Sequence, residues 1–203
     1  MHFIGITGGV GAGKSEILAY IRKKYRCEIY LADEVAHLVK QPGTQAYQEL
    51  LGLLGGDIVD QNRQIDRQVM ADRIFGHAEL LEKVNGIIHP AVKKFLLERL
   101  EEARAAGRVD LFFVEAALLI EGGYLNLVDE MWYVYADETV RRDRLAGSRG
   151  YSGDKISQIM ARQLSEEKFR ECCDFVIDNS GSFQDSCSQV DRRLQNILKS
   201  SVY

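Results

Sequence analysis

Short apolar runs alternate with amphipathic stretches along most of this chain. Phe3-Ile4-Gly5-Ile6-Thr7 is a compact run of aromatic and β-branched residues and predicts a buried strand. A glycine-rich turn follows. From Glu16 to Tyr25, the residues Ile17, Leu18, Ile21 and Tyr25 recur at i, i+1, i+4 and i+8, which is one face of a helix. Cys27–Leu31 reads as a second strand, and Val35, Leu38 and Val39 as a helix broken by Gln41-Pro42-Gly43. Thr44 is placed to cap a further helix through Tyr47, Leu50, Leu51 and Leu54, which Gly55-Gly56 stops.

From residue 57 to residue 107 the pattern stays helical. Asp66 is a candidate cap for a helix with Val69, Met70, Ile74 and Phe75. Leu80, Leu81, Val84, Ile87 and Ile88 form the next. Pro90 is expected to end that helix and to open a long one through Val92, Phe95, Leu96 and Leu100. Fifty residues of helix without a strand exceed a plain crossover and predict an inserted helical subdomain. Strands resume at Leu111–Val114, which carries Glu115 to its carboxyl end, then at Met131–Tyr135 and Phe175–Ile177. The last helix shows Val190, Leu194, Ile197 and Leu198. Five strands alternating with helices predict an α/β fold with a parallel, doubly wound sheet. In such sheets ligands bind beyond the carboxyl ends of the strands. The glycine loop, Asp33, Glu115 and Asp178-Asn179 all fall at such ends.

Composition narrows the class without naming it. The chain has 203 residues, of which 46% are hydrophobic and 28% charged, enough for an α/β domain with insertions. The formal net charge of −4 offers no broad basic field for nucleic acid. No apolar run approaches the roughly 18 residues of a membrane span. A strand begins almost at Met1, which leaves no room for a signal peptide. Cys27, Cys172, Cys173 and Cys187 show no C-x-x-C spacing and read as reduced thiols of a cytoplasmic protein. The four histidines share no metal-ligand spacing with them.

The chemistry lies in Gly8-Gly9-Val10-Gly11-Ala12-Gly13-Lys14-Ser15, which fills every fixed position of G-x-x-x-x-G-K-[ST] between a strand and a helix. Glycines let successive N–H groups curl around phosphate oxygens, and the helix start adds its unpaired donors and positive dipole end. Lys14 is expected on the β- and γ-phosphates and Ser15 on Mg²⁺. A literal D-x-x-G occurs at Asp178–Gly181, but it lies far too late for a GTPase, and no N-K-x-D exists. Arg141, Arg142, Arg144 and Arg149 form a basic group on a helix, with Gly147, Gly150 and Gly153 interrupting, so this segment could move.

Taken in order, the motifs resemble the dephospho-CoA kinase family. The resemblance rests on Gly5-Ile6-Thr7-Gly8-Gly9 leading into Gly13-Lys14-Ser15, Ala32-Asp33, Pro42-Gly43 with Tyr47, and Ile65-Asp66-Arg67. It continues through Asn85, Ile87-Ile88-His89-Pro90, Leu118-Leu119-Ile120-Glu121, Arg144-Leu145, Gln163 and Asp174–Asn179. It implies a P-loop NTPase fold like that of nucleoside monophosphate kinases. The core would be 1–32, 108–138 and 172–203, the helical CoA-binding insertion 33–107, and the lid about 139–171. The implied reaction moves the γ-phosphoryl of ATP, with Mg²⁺, to the ribose 3′-hydroxyl of dephospho-CoA. Asp33 would act on the hydroxyl proton, or alternatively cap the helix that follows it. Lys14, Arg144 and Arg149 would neutralise phosphate charge. ATP would lie on Gly8, Gly11, Ala12, Gly13, Lys14, Ser15 and Glu16, with Asn179 near adenine. Asp33, His89, Leu118 and Glu121 would meet the acceptor, and Glu115 would reach the metal through water.

The chain also departs from the family pattern. Leu31 replaces the first acid of D-A-D, Ala117 the proline of P-L-L, and Ile159 an arginine four residues before Gln163; the Arg144-to-Arg149 spacing is one residue longer. Two alternatives follow: another P-loop kinase of small hydroxyl substrates, such as a nucleotide kinase, or a non-catalytic ATP-binding regulator. Oligomeric state is not legible in one sequence.

Overall fold

The computed structural model describes residues 1–200. It begins with strand β1 (His2–Thr7), helix α1 (Lys14–Lys24) and strand β2 (Cys27–Leu31). Helices α2 (Ala32–Leu38), α3 (Gln45–Leu54), α4 (Arg67–Ile74) and α5 (Ala78–Ala106) follow. Then come β3 (Leu111–Glu115), β4 (Glu130–Tyr135), α6 (Glu138–Arg149), α7 (Gly153–Met160), α8 (Glu166–Cys172), β5 (Phe175–Asp178) and α9 (Phe183–Ser200). The five strands form one parallel sheet in the order β2-β3-β1-β4-β5. Among the described residues no helix is long and apolar enough to cross a membrane.

The chain divides into two compact parts, Met1–Ile29 with Ala103 onward, and Tyr30–Glu102. In the first, the central strand β1 is apolar at nearly every position, and Phe3, Ile4 and Ile6 are fully buried. A run buried on both faces is what a central parallel strand requires. Edge-to-face ring contacts run across the sheet from Phe3 to Phe112, and from Phe113 through Trp132 to Phe175, with centroids 5.1–6.0 Å apart. Such pairs suit the ring quadrupoles and add to the burial. The register sets Ile6 beside Glu115, Thr7 beside Tyr133, and Tyr135 beside Asp178. The carboxyl ends of β3, β1, β4 and β5 therefore lie along one rim.

The second part has its own small core of Leu50, Leu54, Ile58, Met70 and Val84. Two of its helices, α3 and α4, start on the capping residues that the residue types lead one to expect. The Thr44 hydroxyl accepts from the Tyr47 N–H (3.2 Å), and the Asp66 carboxylate accepts from the N–H groups of Gln68 (2.8 Å) and Val69 (3.1 Å).

Pro90 does not break the chain into two helices. It lies inside the single 29-residue helix α5. Proline in a helix interior costs about 3 kcal/mol through the lost N–H and a clash with the carbonyl four residues back. That residue is Gly86, exposed and with open space around it. Val84 before the proline and Val92, Leu96 and Leu100 after it are all buried. At roughly 1.5–3 kcal/mol per buried side chain, this burial outweighs the local cost. The glycines from 147 to 153 also sort differently than a run of interruptions. Gly147 is inside α6, Gly150 ends it in the left-handed region (φ 61°), and Gly153 opens α7 behind a Ser152 cap.

Candidate active site

The glycine loop leaves β1 at Thr7 and enters α1 at Lys14. Gly13 stands at the helix N-cap with φ 93°, a conformation that disfavours any residue with a Cβ, and it supplies no capping side chain. The first N–H groups of α1 thus receive no side-chain cap, the condition for anion binding at a helix start. The Lys14 ammonium donates to the Gly8 carbonyl (2.8 Å) and lies 3.5 Å from the Glu115 carboxylate. Both side chains are largely shielded, at 13% and 19% exposure. Lys14 is thereby folded back over the loop it serves. Ser15 and Glu16 are exposed in the first turn of α1.

The loop is gripped from the outside. The Asn179 side-chain amide donates to the Ala12 carbonyl (2.8 Å), and its oxygen accepts from the Ser186 hydroxyl (2.8 Å). Asn179 is 1% exposed, so both ends of its side chain are committed to holding the loop. Arg144 donates to the same Ala12 carbonyl (3.4 Å) and to the Asn179 carbonyl (2.9 Å). Arg141 donates to the Val10 carbonyl (3.0 Å).

Within the first part, the fold brings several of the expected site residues together and leaves others apart. Gly8, Gly11, Ala12, Gly13, Lys14, Glu115, Arg144 and Asn179 share the rim. Arg149 sits in the exposed last turn of α6, its guanidinium over the Tyr151 ring at 6.0 Å. Leu118 and Glu121 lie in the turn after β3 and are exposed, with Leu118 at 59%. His89 is exposed on α5, and Asp33 is exposed in the first turn of α2. Asp33 does not cap its helix. The N-cap is Leu31, and no side chain bonds there. The carboxylate is left for another use. Two loop contacts escaped the choice of site residues: Arg141, grouped with the other arginines, and Gln163, known only as a family position. The usable signal for Arg141 was its i, i+3 spacing from Arg144 on one helix face.

The second part contains a cavity of about 530 Å³ lined by His37, Lys40, Arg67, Met70, Phe75 and Leu81, among others. Its lining includes basic and apolar side chains and no carboxylate. Burial and the nearby Arg67 charge pull the Lys40 ammonium below its ordinary pKa. Uncompensated cations beside apolar walls suit a ligand with an anionic group and an apolar arm.

Comparison with known proteins identifies the architecture. A family model described as dephospho-CoA kinase matches residues 2–185. A dephospho-CoA kinase of Carboxydothermus hydrogenoformans is 36% identical over 191 residues, covering 94% of this chain and 91% of that protein. Among solved structures, TT1252 from Thermus thermophilus superposes with a TM-score of 0.80 at 26% identity, over 97% of each chain. The dephospho-CoA kinase from Campylobacter jejuni shares the fold, with a TM-score of 0.73 at 20% identity over 98% of each chain. The P-loop on its rim, a family model spanning the sheet and the helical part, and this level of identity lead to one conclusion: the chain belongs to the dephospho-CoA kinase family, the kinases that complete coenzyme A biosynthesis.

Proposed function

We propose that this chain catalyses that step by in-line phosphoryl transfer from ATP on the P-loop, with Asp33 as the proton acceptor. The observation that carries the reading is the loop itself: its Val10 and Ala12 carbonyls are held by Arg141 and Asn179, and Lys14 is poised at 2.8 Å from the Gly8 carbonyl beside Glu115. Phosphoryl transfer is mostly positioning and charge neutralisation, and these groups do both. The ribose 3′-oxygen bonds to the γ-phosphorus, the bond to the β–γ bridging oxygen breaks, and ADP leaves. The hydroxyl proton passes to Asp33. Lys14 neutralises charge on the migrating group, and Arg144 keeps the Ala12 peptide in place. Arg149 reaches the phosphates only if the lid moves.

The residues present fit a magnesium ion delivered with the nucleotide, which takes one or two protein ligands besides phosphates and water. Ser15, exposed in the first turn of α1, would supply its hydroxyl, and Glu115, beside Lys14, would reach it through water. When bound, the ion would neutralise phosphate charge. The helical part 33–107 is the acceptor domain in this reading. Its basic and apolar cavity takes the diphosphate and pantetheine arm of dephospho-CoA, and Leu118, Glu121 and His89 contribute to the acceptor's surroundings. The four free cysteines and the acidic net charge favour a cytoplasmic protein that binds neither nucleic acid nor membrane.

A coupled ADP-release assay with Mg²⁺, run with and without dephospho-CoA, tests the activity. Acceptor-dependent ADP release with one added phosphate on the product supports it. Phosphorylation of nucleotides but not of dephospho-CoA overturns it. The cavity has its own test. Arg67→Ala should raise KM for dephospho-CoA about tenfold, the loss of one charge-assisted contact, with KM for ATP little changed. An unchanged acceptor KM removes the cavity from substrate binding.

A further inference from the structure

Among the arginines of α6, Arg141 is the one drawn under the tip of the P-loop. Its guanidinium Nε donates to the Val10 carbonyl (3.0 Å), and Nη2 donates to Gln163 Oε1 (2.5 Å). The same Gln163 oxygen accepts from the Val10 N–H (3.3 Å). Both backbone polar groups of Val10 are therefore held by side chains of the 139–171 segment. The fit is close: a Cβ at Gly9 would overlap the terminal guanidinium atoms of Arg141. Half-buried, the group has its pKa lowered by desolvation, against the opposing pull of Tyr133 and the Glu138 carboxylate, and its hydrogen-bond partners Val10 and Gln163 are neutral. Burying a charge against a neutral carbonyl and an amide is unfavourable unless the arrangement serves something else.

We infer that Arg141, with Gln163, is a positioning residue that sets the Val10–Gly11 peptide plane for triphosphate binding. In a trans peptide the carbonyl of one residue and the N–H of the next point in opposite directions. Holding the Val10 carbonyl toward α6 turns the Gly11 N–H away from α6, into the loop. Asn179 and Arg144 act in the same way on the Ala12 carbonyl and so on the Gly13 N–H. Two arginines at i and i+3 of one helix thus orient alternate peptides of the loop before nucleotide arrives. Preorganised donors avoid reorganisation on binding. The inference rests on the P-loop reading above, and it concerns the phosphates rather than the acceptor.

The experiment compares Arg141→Ala, Arg141→Lys and Gln163→Ala in the full chain. Arg142→Ala is the control on the same helix, since Arg142 bonds Glu138 and Ser157 instead. Readouts are KM for each substrate, kcat, and equilibrium affinity for ATP and for adenosine. Arg141→Ala should weaken ATP binding about tenfold, the scale of one lost charge-assisted bond, while adenosine affinity, acceptor KM and saturated turnover stay within about twofold. Gln163→Ala should shift ATP affinity in the same direction by less, and it carries the test if Arg141→Ala does not fold. Arg141→Lys should not restore affinity, because a single ammonium cannot reproduce the fork. Unchanged ATP affinity, equal losses for ATP and adenosine, or a fall in kcat at unchanged ATP affinity each overturn the inference. A wild-type chain inert toward dephospho-CoA would strike the proposed reaction alone, because the two binding measurements would still decide this point.

Discussion

Asp33→Asn should lower kcat by roughly 10²–10⁴-fold, the range for losing a positioned general base. The substitution keeps shape and hydrogen bonding but removes the ability to hold the proton. Effects on folding should be small. The side chain is exposed, and helix α2 begins behind Leu31 without a bond from Asp33. KM for ATP should stay near the wild-type value, because the proposed role of Asp33 concerns the acceptor's hydroxyl and not the phosphates. Initial rates at saturating ATP and dephospho-CoA measure the effect directly. A variant of near wild-type kcat would take Asp33 out of the chemistry and leave positioning and charge neutralisation as the whole of catalysis.

Lys14→Ala should lower kcat/KM by roughly 10²–10³-fold, as removal of one preorganised donor to a developing charge does elsewhere. Alanine is the best helix former, so the first turn of α1 persists. What disappears is the ammonium 2.8 Å from the Gly8 carbonyl and 3.5 Å from Glu115. If Lys14 acts on the migrating phosphoryl as proposed, most of the loss should fall on kcat rather than on ATP affinity. Binding of ATP measured separately from turnover distinguishes the two. Full activity without Lys14 would contradict the P-loop reading, and a collapse of ATP affinity at unchanged kcat would confine Lys14 to ground-state binding.

Much of this was legible before any coordinates. The strands read at Cys27–Leu31 and Leu111–Val114 follow from apolar runs, the Thr44 and Asp66 caps from residue type, and the P-loop from glycine spacing. Each of these depends on a few consecutive residues whose backbone preferences are local. Pro90 misled because the local rule is correct and loses: buried Val84, Val92, Leu96 and Leu100 carry the helix through it. The alternative role of Asp33 as a helix cap does not hold, because the helix begins one residue before it, at Ala32.

By itself, then, the sequence determined the α/β class, the nucleotide loop and the family, because glycine spacing, helical period and motif order are properties of the chain. Only the tertiary structure decided which arginines serve the loop. Arg141 and Arg144 are separated by three residues and so share a face of α6, whereas Arg149 lies about 12 Å further along the axis from Arg141 at 1.5 Å per residue. The choice depends on how α6 is rotated and how far along it the loop lies, and those are set by distant packing such as Leu145 buried beneath Gly11. The same holds for Asn179, whose partners Ala12 and Ser186 are brought to it by the sheet and by α9. Charge and spacing name the candidates; distance to a carbonyl 131 residues away selects among them.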